Sequence, residues 1–343
     1  MKQGKTTPLI SREERKRSVA ADGISRTTLS FYKYVHIDDP EALRSELLAR
    51  LGALGCFGRI YVASEGINAQ MNVPSAHVAA FEAYMQSKDI FRDIPFKIAV
   101  EEGDVPSFYK LTVKVRPKIV ADGLDDASFD VTNTGAYVTA EELNAYLDDP
   151  DAVVVDMRNA YESEIGHFEG AILPQVETFR EELSVAPELL RIHKHKKVAL
   201  YCTGGIRCEK ASAWLKHNGF TDVRHLKGGI IDYARQVKER GLPNRFKGKN
   251  FVFDERLGER VGDEIISHCH LCTTAKSDTH YHCRNEVCHA LFLGCGECVR
   301  RKRGYCSYWC MATDQLPQQL RTPYARLFNA YVRTKGFRKR KFV

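Results

Sequence analysis

Hydrophobic positions along this chain recur with two different periods, and the switches between them divide it into segments. Residues 1–28 are polar and charged with no period to bury, so they predict a flexible N-terminal segment. From Leu29 to about Val120 strand and helix patterns alternate. "LSFYKYVHI" predicts a strand, "DPEALRSELLARLGAL" an amphipathic helix opened by Asp39–Pro40, and "GRIYVASEGINAQMNVP" two strands joined through a Glu65–Gly66 turn. "SAHVAAFEAYMQSKD" predicts a second helix with Ser75 as N-cap, followed by strands in "FKIAVEE" and "LTVKVRPKIV".

This β-α-β-β-α-β order over 29–120 predicts a split βαβ, ferredoxin-like α+β domain. Residues 121–133, within "ADGLDDASFDVTNTG", read as a linker, and a different α/β pattern occupies 134–246. There "TAEELNAYLDD" predicts a helix capped by Thr139 with Glu142 in the capping-box position. "DAVVVDMR" and "KVALYC" predict buried strands, "ELLRIHKHK" and "EKASAWLKHNGF" helices, and "TDVRHLKGG" a third strand. Strands apolar on both faces that alternate with helices predict a parallel sheet covered on both sides, with its chemistry just beyond the carboxyl ends of the strands. Cys202 falls at such an end.

A length of 343 residues suffices for two or three cores, and 43% hydrophobic with 28% charged residues are globular proportions. No run approaches ~18 apolar residues, and the opening "MKQGKTTPLISREERKRSVA" has no apolar leader, which predicts a cytoplasmic protein without a membrane segment. Charge is uneven. From Arg300 to Val343 twelve Lys and Arg face one acid, Asp314, giving +11, so in a chain of net charge +7 the preceding residues sum to −4. The end of the chain therefore calls for an anionic partner, unless it is a solvated tail. In "KLTVKVRPK", Leu111, Val113 and Val115 alternate with Lys110, Thr112, Lys114 and Arg116, and Lys118 follows. Period-two geometry puts these cations on one face, a strip suited to RNA phosphates or to protecting an edge strand.

Residues 247–343 form a Cys-rich, basic C-terminal region. Eight of the eleven cysteines lie within 269–310, as Cys269-x2-Cys272, Cys283-x4-Cys288, Cys295-x2-Cys298 and Cys306-x3-Cys310. Four such pairs match two tetrahedral zinc sites of structural type in a reducing compartment. The spacing leaves open which pairs share an ion and whether His268, His270, His280, His282 or His289 substitutes. It also leaves open an iron–sulfur cluster or disulfides. Tyr305, Tyr308 and Trp309 beside Arg300, Arg301, Lys302 and Arg303 read either as base-stacking residues of an RNA-binding surface or as a small core around the metal.

"YCTGGIRCEKA" carries the sharpest chemistry. A loop between strand and helix turns backbone N–H groups and the positive helix end toward its centre, which lowers the pKa of a thiol held there. Thr203, Gly204 and Gly205 shape the curl, and Arg207 adds a cation. Only four residues separate Cys202 from Arg207, one fewer than in the loop of cysteine phosphatases, so the cradle suits a sulfur atom or an oxyanion. Cys208 reads as a second site thiol or as a small buried residue of the first helical turn.

"CTGGIR" is similar to the active-site loop of rhodanese domains. "DMRNAYESEIGHFEGAI" (Asp156, Arg158, Gly166, His167, Gly170, Ala171) resembles the upstream rhodanese motif, with Asp156 and Arg158 as braces of the loop. "GFTDVRHLKGGI" (Gly219, Phe220, Val223, Leu226, Gly228, Gly229) resembles the downstream one. Over about residues 29–310 the chain resembles the bacterial tRNA uridine hydroxylases, with Arg207–Cys208–Glu209 as the most telling run; many rhodaneses carry Ser or Thr where Cys208 stands. The resemblance implies a multidomain oxidoreductase that places a hydroxyl on C5 of the wobble uridine, giving 5-hydroxyuridine. It implies molecular oxygen as co-substrate, an unidentified electron donor, and the tRNA anticodon loop as partner. Cys202, Arg207 and Cys208 are then the expected catalytic residues. A sulfurtransferase carrying a persulfide on Cys202 and a non-catalytic RNA-binding scaffold are the competing readings. The retained Cys202 counts against the scaffold, and the basic strips at both ends count against small-molecule sulfur transfer. Protein partners and oligomeric state are not legible.

Overall fold

The computed structural model describes residues 11–100, 105–124, 129–317 and 319–321. The basic stretch beyond Arg321, with seven of the twelve cations counted above, lies outside the described residues. Two compact units form. One holds the described residues through Ser163 with 169–245 and 250–260; the other holds 164–168, 246–249 and the described residues from 261 onward.

The first unit begins with a helix where the sequence shows no apolar period. Ser11 and Glu14 form a capping box that opens α1 (Arg12–Ala21), so part of the segment expected to be flexible is helical. β1 (Arg26–Tyr34), α2 (Pro40–Ala53), β2 (Phe57–Ala63), β3 (Gly66–Pro74), α3 (Val78–Gln86), β4 (Lys97–Ile98) and β5 (Leu111–Val115) follow. The sheet order is β4-β1-β3-β2-β5, antiparallel except for the parallel β2–β5 pair. Asp39 accepts the Ala42 N–H and Pro40 occupies the first turn of α2, whose Leu47 and Leu51 are fully buried against Ile60, Val62, Ile67, Met71 and Phe81. Ser75 does not cap α3. It begins a 3-10 turn, Ser75–His77, with its hydroxyl 3.1 Å from that of Thr27, and α3 starts at Val78. β5 is an edge strand with Val113 buried and Lys114 exposed, as the alternation requires.

The same unit continues with β6 (Ala136–Val138), α4 (Ala140–Asp148), β7 (Ala152–Asp156) and α5 (Ala160–Ser163). After β8 (Gly166–Phe168), which belongs to the second unit, come α6 (Phe179–Leu189), β9 (Lys197–Tyr201), α7 (Ile206–His217), β10 (Asp222–Leu226) and α8 (Gly229–Arg240). β6, β10, β9 and β7 make a wholly parallel sheet in that order. The Thr139–Glu142 capping box opens α4 as the sequence predicts. α6 starts at Phe179, capped by Thr178 and Glu181, well before the Glu188 start of the apolar pattern; a 3-10 turn at Arg191–His193 follows it. Val155, Leu200, Cys202, Cys208, Ala211 and Leu215 pack into one core, which holds the loop after β9 firmly.

In the second unit β8 pairs antiparallel with β11 (Phe246–Asn250). The short strand β12 (Glu259–Arg260) closes the chain's contribution to the first unit. A hairpin of β13 (His280–His282) and β14 (Leu291–Leu293) then precedes α9 (Gly296–Arg301) and α10 (Tyr308–Thr313). No helix among the described residues is long and apolar enough to cross a membrane.

Candidate active site and metal centres

Cys202 sits at the carboxyl end of β9, fully buried, with α7 beginning four residues later at Ile206. Gly205, at φ +96°, turns the chain so that its N–H points at the Cys202 sulfur 3.1 Å away. From the other side the N-terminal turn of α8 grips the loop. Ile230 N–H reaches Cys202 O at 3.0 Å, Ile231 N–H reaches Thr203 O at 3.2 Å, and a Cβ on Gly229 would lie 2.5 Å from Cys202 O. Burial pushes the Cys202 thiol up, but the Cys208 thiol, the Arg207 guanidinium and the backbone N–H groups of Cys208 and Arg207 outweigh it and hold Cys202 at about 5. Cys208 moves the opposite way: burial and the neighbouring Cys202 sulfur keep it well above the usual thiol range. The loop therefore favours a thiolate at Cys202 and a neutral thiol at Cys208.

Arg207 is committed. Its two terminal nitrogens bond the fully buried Glu162 at 2.7 and 2.8 Å, and it also meets Thr203 Oγ1 at 3.3 Å. Its charge biases the Cys202 pKa, while its donors point largely at Glu162. Thr203 Oγ1 also bonds Glu162 (3.3 Å) and Phe251 O (3.4 Å); a Cβ on Gly204 would meet nothing. Asp156 and Arg158, both fully buried, pair with each other at 2.8 and 2.6 Å beside Tyr201. Glu182 is fully buried nearby, and neither carboxylate oxygen has a hydrogen-bond partner among the described residues; burial pushes its pKa well above the usual range.

The mouth of the loop is built by the other sheet of the same unit. The Tyr32 hydroxyl on β1 donates to Glu209 at 3.0 Å and would touch a Cβ on Gly205 at 2.8 Å. Tyr137 donates to the same Glu209 oxygen at 2.8 Å. Lys97 on β4 lies over the Tyr32 ring, 4.1 Å from its centroid. One turn along α7, Lys210 bonds both Glu65 oxygens at 2.9 Å and Asp122 at 2.6 Å. Asp122, within the stretch read as a linker, is thus a buried partner of the helix that carries the loop. Tyr32, Lys97 and Glu162 escaped the sequence analysis as site residues. Glu162 lies inside the quoted upstream motif and Glu209 in the telling Arg207–Cys208–Glu209 run, but nothing local marks Tyr32 or Lys97.

The basic residues separate into two kinds. Lys110 and Lys114 are exposed, and Arg116 lies 5.6 Å over the Tyr61 ring. Lys118 is bonded to Asp122 (2.7 Å) and Leu124 O (2.8 Å), so it is not an uncommitted member of the strip. Arg300, Arg301 and Arg303 are exposed, and Lys302 lies 5.0 Å over the Tyr308 ring. Tyr308 and Trp309 are exposed, whereas Tyr305 belongs to the small core and bonds Asp314 at 2.8 Å.

The eight paired cysteines collect into two sets, Cys269, Cys272, Cys295 and Cys298, and Cys283, Cys288, Cys306 and Cys310. Within each set the four sulfurs lie within 4.8 Å of one another, and the sets are complete without a histidine. An ion bonded to four thiolates at ~2.3 Å sets the sulfurs roughly 3.8 Å apart. The Cys288–Cys306 and Cys306–Cys310 separations in the second set, 3.7 and 3.4 Å, are near that spacing, and the clustering of sulfurs in each set can hold a metal ion. The first pair shares its site with the third and the second with the fourth, an interleaving that the spacing leaves undetermined.

Family models match three stretches of the chain. A UPF0176 acylphosphatase-like domain matches residues 26–119, a rhodanese-like domain matches 139–236, and a rhodanase C-terminal region matches 247–311. A tRNA uridine(34) hydroxylase of Escherichia coli (strain SMS-3-5 / SECEC) is 54% identical over 302 residues, 88% of this chain and 86% of that protein. The protein of the same name from Escherichia coli O157:H7 shows the same identity and coverage. Among solved structures, the rhodanese-like domain of an Anabaena sp. protein is 22% identical, covers 34% of this chain and 80% of its own, and has a TM-score of 0.27.

Proposed function

The chain belongs to the tRNA uridine(34) hydroxylase family, and from that premise we propose that it hydroxylates C5 of the wobble uridine in the anticodon loop, with Cys202 as nucleophile. The observation that carries the reading is the buried Cys202 thiolate, held at about 5 by the loop. Uracil C5 reacts poorly with oxygen as it stands. When the thiolate adds to C6 of a base flipped from the loop, the C5–C6 π pair moves onto C5 and O4, and C5 becomes electron-rich. Dioxygen is the co-substrate, and an external reductant supplies two electrons. The net change is uridine, dioxygen, two electrons and two protons to 5-hydroxyuridine and water. Loss of the C5 hydrogen and cleavage of the S–C6 bond return the thiolate. Cys208 supports the reaction as the donor that keeps Cys202 ionised.

Zinc is the ion we assign to the two four-thiolate sets, in a structural role: it gives shape to a region with little apolar core of its own. Lys110, Lys114 and Arg116, with Arg300, Arg301, Lys302 and Arg303, are proposed to contact tRNA phosphates.

Purified protein incubated with unmodified tRNA in air tests the reading through the nucleoside mass. A gain of one oxygen supports hydroxylation, and a sulfur-for-oxygen exchange, separable by exact mass, supports the persulfide chemistry instead. Cys202→Ser is expected to abolish the oxygen gain with tRNA affinity within a few-fold. The wild-type rate is expected to fall about tenfold per pH unit below about 5, where the thiolate is protonated. Wild-type turnover by Cys202→Ser would move the active site elsewhere.

A further inference from the structure

Addition of a thiolate to C6 places negative charge on O4 of the uracil, and a buried site needs a donor aimed at that oxygen. Arg207 is poorly placed to serve, because both terminal nitrogens are bonded to Glu162 and one also meets Thr203. Lys97 is differently held. Its ammonium rests 4.1 Å over the Tyr32 ring, and the Tyr32 hydroxyl lies against Gly205 of the loop while donating to Glu209. A cation–π contact positions a charge without neutralising it. Among the described residues no carboxylate lies within ion-pair distance of Lys97. β4 pairs with β1, with Ser30 opposite Lys97, and also packs against α8. The Tyr32 ring on β1 lies under the ammonium, and among the described residues the charges of Cys202, Asp232 on α8 and Glu209 on α7 act on it.

We propose that Lys97 is a catalytic residue, donating a hydrogen bond to O4 of the uracil and countering the charge that develops there as Cys202 adds to C6. The inference rests on the Cys202 reading above. In the step itself the S–C6 bond forms, the C5–C6 π pair shifts toward O4, and Lys97 keeps its proton while sharing it with the oxygen. The nucleophile and the charge acceptor thus come from different sheets, with the base entering between them. Burial pulls the Lys97 ammonium down to about 8, against the raising influence of Cys202, Asp232 and Glu209, so its protonated state changes within an accessible range.

Hydroxylation of an unmodified tRNA transcript by full-length protein, followed from pH 6 to pH 10, tests this. The wild-type rate is expected to fall above about pH 8 as Lys97 loses its proton. Lys97→Met is expected to lower turnover about 10²–10³-fold with tRNA affinity within about threefold. Lys97→Arg is expected to retain activity within about tenfold of wild type and to move the alkaline limb upward. A merely structural role for Lys97 would leave that limb in place in the arginine variant. Wild-type turnover by Lys97→Met with an unchanged alkaline limb, while Cys202→Ser is inactive, overturns the assignment of Lys97 and leaves Cys202 standing. Turnover by Cys202→Ser overturns the reading on which it rests.

Discussion

Lys210 Nζ and Asp122 Oδ2 lie 2.6 Å apart, with both side chains 1% exposed. Glu65, at the turn between β2 and β3, completes the contact. Through Glu65 this cluster ties the β2–β3 turn to the helix that begins at the Cys202 loop. Replacing Lys210 by Ala removes the buried one of the two ammonium groups on Asp122 while Lys118 remains at 2.7 Å, so we expect a loss below the ~3–5 kcal/mol of a buried pair broken outright. Urea midpoints check the figure. Lys210→Met combined with Asp122→Leu should recover part of the loss, because the buried carboxylate is then removed together with its buried ammonium.

Glu182 offers a pH test. Its folded-state pKa is raised by burial, so its contribution favours the folded state below the unfolded value of about 4.3 and is lost as pH rises toward the folded value. A neutral amide does not carry that penalty. Glu182→Gln is expected to match wild type near pH 4 and to gain on it at higher pH, by up to about 1.4 kcal/mol per unit until the folded pKa is reached. Denaturation midpoints at several pH values read the difference; parallel curves would contradict it.

The strip on β5 makes a graded expectation. Neutralising Lys110, Lys114 and Arg116 together should flatten the salt dependence of tRNA binding, each lost phosphate contact reducing the log–log slope by about 0.7–0.9. Lys118→Gln should leave the slope nearly unchanged, since Asp122 already pairs with that ammonium. An unaltered slope in the triple variant would assign the strip to edge protection.

For the metal sites, elemental analysis is expected to find about two zinc ions per chain. Cys295→Ser should remove one of them and Cys306→Ser the other, because those cysteines belong to different sets. Both variants losing the same ion, or metal-free protein with intact thiols, would contradict the arrangement.

What could be read in advance was local. The capping box at Thr139, the alternation of β5 and the cysteine spacings are written within a few neighbouring residues, and each led to an element or chemistry that the structure contains. Ser75 had an equally local signature, but the hydroxyls of Ser25 and Thr27 engage its side chain and α3 starts later. The mouth of the site was hidden for a different reason. Tyr32 reaches Glu209, and Lys97 lies over the Tyr32 ring, from a sheet formed far earlier in the chain, and no periodicity encodes which face of one domain meets another. The commitment of Arg207 was likewise invisible until Glu162 came to lie beside it.

The interleaving of the two cysteine sets also orders events during synthesis. A sequential arrangement would let the first site close as soon as Cys288 left the ribosome. Here Cys269 and Cys272 wait for Cys298, and Cys283 and Cys288 wait for Cys310, so neither site can close until three of the four cysteine pairs have emerged. Scarcity of metal during translation would therefore strike late, on a chain whose two sheets are already available to fold, and would leave thiols from both sets exposed together.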